Sequence, residues 1–376
     1  MKVLSLFDGI SCGRVALERA GIPVDTYYAS EIDKYAISVA QAMYPDTIQI
    51  GDVCKVDFAK YIGKIDMIIG GSPCQDLSIA KQNRQGLRGE RSGLFWKYVE
   101  ALETIRPKYF LLENVASMKN EDRDAITATL SRIYPGTECI MINSVLVSAQ
   151  QRKRYYWTNW HVEQPEDKGI VLKDILEHQI DERYMLTNKN IQHCCRSYGS
   201  KAQNITGQDK CPTLCAAMGC GSGNVPFMFE SVTKRSLANI RLLEEKANCL
   251  LSCSYKGGQA NGMTNIPVRV GELGAGGQGR RVYSVLGKSV CLSSGEGGGR
   301  QVWCKIDLPD GDYIVRKLTP RECARLQTYP ERCFDVANIS NTQWYKAFGN
   351  GWTVDVIAHI LSQINNPAPK RELTLF

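Results

Sequence analysis

Ile65-Asp66-Met67-Ile68-Ile69-Gly70-Gly71-Ser72-Pro73-Cys74-Gln75 carries a nearly continuous apolar run into a glycine-rich turn that ends on a proline and a thiol. A strand that is apolar on successive residues has no solvent face. It therefore reads as buried on both sides, the condition of a parallel sheet covered by helices. The surrounding rhythm agrees. Strands are predicted over Val3–Phe7, Thr26–Ser30, Ile65–Gly70, Tyr109–Glu113, Glu138–Asn143 and Tyr155–Asn159, and helices over Arg14–Ala20, Lys34–Tyr44, Leu94–Ile105 and Arg123–Ile133. Strands alternating with helices from Met1 to about Trp160 predict an α/β class, with a doubly wound, mostly parallel sheet.

Beyond Pro165 the composition shifts to Gly, Ser, Asn and Cys, with short β-like runs and no long amphipathic helix before Pro320. This predicts a second, smaller, β-rich domain. Three segments in it echo one another, Lys210–Leu214, Lys246–Leu250 and Lys288–Leu292, each followed by a glycine-rich turn. Thr319-Pro320-Arg321-Glu322 has the spacing of a capping box with proline in the first turn, and a last helix is predicted over Val354–Ile364.

At 376 residues, with 43% hydrophobic and 23% charged residues, the chain can bury a large core and is neither disordered nor fibrous. No apolar run is long enough to span a bilayer and the start lacks a signal peptide, so a cytoplasmic protein with no membrane partner is expected. The fifteen cysteines then read as reduced thiols. Cys194, Cys195, Cys211, Cys215 and Cys220 lie close in sequence, but no Cys-x-x-Cys pair occurs and histidine is scarce, so no metal is expected. A net charge of +7 is compatible with a polyanionic partner without requiring one.

Two places concentrate chemistry. Phe7-Asp8-Gly9-Ile10-Ser11-Cys12-Gly13 joins the first strand to the first helix, where a doubly wound sheet opens its ligand crevice. The second strand ends at Glu31, followed by Ile32, and a third strand region presents Asp52 and Val53. Acids at those strand ends suit the hydroxyls of a nucleoside cofactor. On the other side of the crevice, Pro73 fixes the backbone just before Cys74 at the carboxyl end of a central strand. Tyr109–Glu113 brings Glu113 and Asn114 to the same edge, and Gln150-Gln151-Arg152-Lys153-Arg154 supplies arginines at its rim.

In this combination and order the chain resembles the C5-cytosine DNA methyltransferase family. The resemblance lies in the turn Phe7–Gly13, in Pro73-Cys74-Gln75, Glu113-Asn114-Val115 and Gln150–Arg154, in the run Arg316–Gln327, and in Gly349-Asn350. It covers the chain except about 165–314. Ser72 before the proline and Gly351-Trp352 after the last motif depart from the commoner pattern and are similar to the animal de novo DNA methyltransferases.

The resemblance implies a Rossmann-like methyltransferase fold, with residues 1–162 and 341–376 forming one discontinuous catalytic domain and 163–340 a target-recognition domain. It implies S-adenosylmethionine as cofactor, leaving as S-adenosylhomocysteine. The expected cofactor residues are Phe7, Asp8, Gly9, Gly13, Glu31, Ile32, Asp52, Val53 and Pro73 on one side, and Asn350, Trp352, Thr353 and Val354 on the other.

It further implies that Cys74 attacks carbon 6 of a flipped-out cytosine and Glu113 donates to ring nitrogen 3. Arg152 would hold the base's carbonyl and Arg154 would support the loop. The segment Ser78–Gly93 reads as a loop that closes on DNA, with Gln75, Ser78, Arg84, Arg88 and Arg91 as contacts. The implied partner is double-stranded DNA, bound by a monomer, with a companion restriction enzyme as a further partner in its biology. Two alternatives stay open: a cytosine-5 methyltransferase of transfer RNA, and a non-catalytic DNA-binding homologue.

Overall fold

The computed structural model describes residues 1–72, 93–181, 184, 292 and 318–365, and the backbone of seven short strands between 205 and 317. Seven strands form the main sheet: β1 (Lys2–Leu6), β2 (Thr26–Ser30), β3 (Ile48–Gln49), β4 (Met67–Gly71), β5 (Tyr109–Val115), β6 (Glu138–Asn143) and β7 (Lys153–Thr158). Their order is β3-β2-β1-β4-β5-β7-β6. All pairings are parallel except those of β7, which runs antiparallel to both of its neighbours. The predicted strands and sheet class are therefore present. The direction of β7 follows from its tight approach, because only a short connection separates it from β6 and a parallel return needs a long crossover.

Both faces of the sheet are buried, as the apolar run at 65–69 requires. Side chains alternate strictly between them. Val3, Met67, Ile69, Leu111 and Tyr156 enter one core, with α1 (Cys12–Arg19) and α2 (Lys34–Met43) over them. Leu4, Leu6, Ile68, Phe110, Leu112 and Trp157 enter the other, under α3 (Gly93–Ile105) and α4 (Asn120–Ile133). Complete burial of one such side chain stabilises the fold by about 1.5–3 kcal/mol.

The described C-terminal part consists of α5 (Pro320–Leu326), α6 (Cys333–Val336), α7 (Asn341–Asn350) and α8 (Val354–Ser362). The capping box is formed, since Thr319 Oγ1 accepts from Glu322 N at 3.2 Å and Thr319 N donates to Glu322 Oε2 at 2.8 Å. Leu318, Cys323, Leu326, Tyr329, Phe348 and Ile357 all join the core that contains α1. The C-terminal helices thus complete the first face of the sheet. Helix α7 is absent from the elements that the sequence predicts, and Gly349-Asn350 is its last turn.

In the middle of the chain, the backbone forms β8 (Ile205–Thr206), β9 (Met228–Phe229), β10 (Ile240–Leu242), β11 (Arg269–Leu273), β12 (Arg281–Ser284), β13 (Trp303–Asp307) and β14 (Tyr313–Lys317). The last five make one sheet in chain order, and β8 pairs with β9. Among the described residues, no helix is long and apolar enough to cross a membrane.

Candidate active site

The sheet reverses its winding between β1 and β4, and the residues singled out in the sequence gather at the carboxyl ends of those strands. After β1 the chain turns through left-handed backbone at Phe7, Gly9 and Ser11, with φ of 60°, 59° and 57°. Two of these are not glycine, so the turn stores strain that something must hold. Asp8 holds it. Its carboxylate faces inward, accepting from Ser11 Oγ at 2.5 Å and from Tyr27 Oη at 2.8 Å, while its N–H bonds Ser30 O. Burial pushes the Asp8 carboxyl up to about 6, opposed by hydrogen bonds from Ser11, Ser5 and Tyr27.

Glu31 stands at the end of β2. One of its oxygens accepts from Gly9 N at 2.8 Å, and the other from the N–H groups of Ile32 and Asp33. The Ile32 side chain beside it is 75% exposed, unusual for isoleucine. Asp52, at the end of the third strand region, accepts from Cys54 N at 2.9 Å, and Val53 is buried in the second core. The crevice edge thus carries, in order, Gly9, Glu31 with an apolar neighbour, and Asp52.

On the other side, β4 ends at Gly71, whose registered neighbour on β5 is Glu113. Glu113 is 8% exposed and both of its oxygens are engaged. Oε1 lies 2.8 Å from Arg154 Nε, and Oε2 accepts from Trp352 Nε1 at 3.1 Å. A Cβ at position 71 would lie 2.7 Å from Glu113 Oε2 and 2.8 Å from Trp352 Nε1, so only glycine lets these groups meet there. The same indole lies over Gly13, where a Cβ would also run into Ile69. Asn114 reaches back to β4, donating to Ser72 Oγ at 3.1 Å. That bond fixes the chain at Ser72, the last described residue before Pro73 and Cys74.

The two arginines divide between a carboxylate and main-chain carbonyls. Arg154, on β7 opposite Val115, pairs with the Glu113 carboxylate. Arg152 is 4% exposed and clamps main chain: its guanidinium donates to Leu292 O, Gly349 O and Gly351 O at 3.2, 3.3 and 2.9 Å. Gln150 completes the clamp, its Oε1 accepting from Leu292 N at 2.8 Å. The physical reason is where the strand begins. Residues 152 and 154 are two apart on one face, but 152 precedes the strand and meets the buried end of α7, whereas 154 lies beside β5.

Other expected residues divide clearly. Thr353 and Val354 face the interior, Thr353 Oγ1 donating to Gln327 Oε1 at 2.9 Å, while Asn350 is exposed at the end of α7. Pro73, Cys74, Gln75, Ser78, Arg84, Arg88 and Arg91 lie outside the described residues, as do Cys194, Cys195, Cys211, Cys215 and Cys220. Sequence reading does not single out Tyr27 or Gln327. Tyr27 stands in an apolar strand, where aromatic residues are ordinary, so nothing marks its hydroxyl. Gln327 donates to Phe348 O at 2.6 Å and belongs to the motif run that ends α5, which is the one available signal.

The model of the C-5 cytosine-specific DNA methylase family matches residues 1–366. The orphan methyltransferase M.SPRI of Bacillus phage SPR is 26% identical, over 97% of each chain. The type II methyltransferase M.HhaI of Haemophilus parahaemolyticus is 25% identical, over 97% of this chain and 94% of the relative. Among solved structures, the Dnmt2 methyltransferase of S. pombe superposes with a TM-score of 0.59 at 15% identity, covering 96% and 97% of the two chains. The methyltransferase EhMeth of Entamoeba histolytica superposes with 0.62 at 13%, covering 96% and 97%. At those identities the structures speak for a shared fold, and the family match speaks for descent. Spanning nearly the whole length, that match means that the chain belongs to the C-5 cytosine-specific DNA methylase family.

Proposed function

We propose that the protein methylates carbon 5 of a cytosine extruded from a specific sequence in double-stranded DNA, with Cys74 as nucleophile. The observation that carries this reading is the cluster of Glu113, Arg154 and Trp352 over Gly71, three residues ahead of Cys74 at the crevice of the sheet. Of the described cysteines, Cys12, Cys139, Cys323 and Cys333 have thiols raised by burial, and the exposed Cys54 thiol is raised by partial desolvation and the neighbouring Asp52, which suits none of them as a thiolate.

Cytosine is a poor nucleophile at carbon 5. Attack of a thiolate on carbon 6 makes carbon 5 electron-rich, provided that ring nitrogen 3 takes up a proton as the bond forms. Glu113 is the group for that proton, and we assign Arg154, paired with it, to the ring carbonyl in place of Arg152. Arg152 acts from behind, by holding the main chain of 349–351. After carbon 5 has reacted, loss of its proton to a water molecule re-forms the double bond and expels the Cys74 sulfur. None of this fits inside a stacked duplex, hence the extruded base.

The residues at the β1, β2 and β3 ends fit S-adenosylmethionine. Gly9 gives an open backbone approach with φ of 59°, Glu31 and Asp52 offer carboxylates for hydroxyl and amino groups, and exposed Ile32 offers a face for an adenine ring. Bound there, the cofactor supplies an electrophilic methyl group. Asp8 keeps the turn in shape, and Trp352 borders both halves of the crevice.

The test is methyl incorporation from labelled S-adenosylmethionine into duplex DNA and into transfer RNA, followed by bisulfite sequencing. DNA labelling that disappears in Cys74→Ala is expected. Labelling of RNA alone would refute the substrate, and label persisting in Cys74→Ala would refute the nucleophile. A monomer by light scattering, and a restriction activity encoded beside the gene, belong to the same reading.

A further inference from the structure

Trp352 does more than border a crevice. Its position in the chain is where the family resemblance departs from the commoner pattern, and the structure gives the indole three neighbours at once. The N–H donates to Glu113 Oε2, the ring lies against Gly13 in the cofactor turn, and its edge crosses Gly71 at the end of the strand that leads to Cys74. The residue is held from behind as well. Arg152 and Gln327 bind the carbonyls of Phe348, Gly349 and Gly351, and the main chain of Trp352 reaches the buried sulfur of Cys12. An indole so clamped is a fixed donor, and a fixed donor sets the plane of the carboxylate it touches.

We propose that Trp352 is a positioning residue for the base-activating step: its indole N–H holds the Glu113 carboxylate over Gly71 and ties that orientation to the cofactor turn. The inference rests on reading Glu113 as the group that protonates the ring. With Arg154 on one oxygen and Trp352 on the other, the carboxylate is held at both ends. Without the indole N–H, Oε2 loses that donor and the carboxylate is freer to rotate about its last torsion.

The experiment separates base activation from cofactor binding. DNA carrying tritium at carbon 5 of cytosine loses it to water when Cys74 adds to carbon 6, nitrogen 3 is protonated, carbon 5 takes a proton from solvent and then releases the triton as Cys74 leaves. No cofactor is consumed in that cycle. In the full chain, Trp352→Phe keeps the ring and removes the N–H. Loss of a charge-assisted hydrogen bond should slow cofactor-free tritium release about ten- to hundredfold. The affinity for S-adenosylhomocysteine, measured by calorimetry, should fall by much less than that, because phenylalanine keeps a ring against Gly13 of the cofactor turn. Gly71→Ala is an independent variant that drives the pair apart without altering either side chain's chemistry, and slowed tritium release is expected there too.

Tritium release at the wild-type rate in Trp352→Phe would overturn the proposal. So would normal cofactor-free release together with weakened S-adenosylhomocysteine binding, since a wall of the cofactor site predicts that pattern. Glu113→Gln serves as the reference. If it releases tritium normally, the assignment of Glu113 itself fails, and that failure is distinct from one confined to Trp352.

Discussion

Replacing Asp8 with asparagine should make the protein relatively more stable as pH rises. The carboxyl group is buried among Ser5, Ser11 and Tyr27, with the charge of Glu31 adding repulsion, and burial lifts it from 3.8 to about 6. A folded-state value above the unfolded one means that folding takes up a proton between about pH 4 and 6. The wild type therefore loses stability as pH rises through that window, and the cost is fully present above it. At roughly 1.4 kcal/mol per pH unit, a rise from 3.8 to about 6 amounts to about 3 kcal/mol, an upper figure because the hydrogen-bonded hydroxyls reorient.

An asparagine at this position carries no such cost and can still accept from Tyr27 through its amide oxygen. Linkage between those two values places about 1.4 kcal/mol of the difference between about pH 5 and about pH 7.5. Urea unfolding of both proteins at the two pH values measures it, and for a chain of this length the same quantity appears as about 2 °C in Tm. The expected result is that Asp8→Asn gains on the wild type between those two conditions. A difference between the two proteins that does not change with pH, or that changes in the opposite sense, would refute the assignment of a buried, proton-binding Asp8.

Arg152→Met removes the guanidinium donor from the carbonyls of Leu292, Gly349 and Gly351, and should cost about 3 kcal/mol or more in urea unfolding; Arg152→Lys should recover part of it, and a loss well under about 1 kcal/mol would contradict the clamp. Glu113→Gln should lower kcat by about 10²–10⁴ while cofactor affinity measured by calorimetry is unchanged, and Arg154→Met should act in the same direction. A change confined to KM for the cofactor in either variant would remove these residues from base activation. Thr319→Ala breaks a formed capping box and should cost about 1 kcal/mol of stability without affecting methyl transfer at saturation.

Much of this architecture is legible in the chain because periodicity and strand-end chemistry speak directly. The run at 65–69 announces burial on both faces, and Ile68 and Ile69 do enter opposite cores. The capping box at Thr319 is readable from spacing alone. Helix α7 is not, since its apolar positions Trp344 and Phe348 are few and Gly349 and Asn350 look like a stop, although here they form its last turn. The antiparallel course of β7 cannot be seen in its residues, because direction is set by the connection. Nor can sequence divide the work of Arg152 and Arg154. Both belong to one motif, and only the geometry of the strand end sends one to buried carbonyls and the other to a carboxylate. Asp8 reads from its position as a cofactor contact. Its inward turn depends on Tyr27 and Ser11, partners that no local pattern ties to it.

The central claim is that one thiol, of fifteen in the chain, bonds to carbon 6 of cytosine. DNA in which cytosine is replaced by 5-fluorocytosine tests it most directly. Carbon 5 then carries fluorine in place of the proton that must leave, so the sulfur cannot be expelled after methyl transfer and a stable protein–DNA adduct accumulates. Digestion and mass spectrometry should find the modified base on Cys74 and on no other cysteine. An adduct on a different cysteine, or none from a preparation that methylates ordinary DNA, would contradict the account.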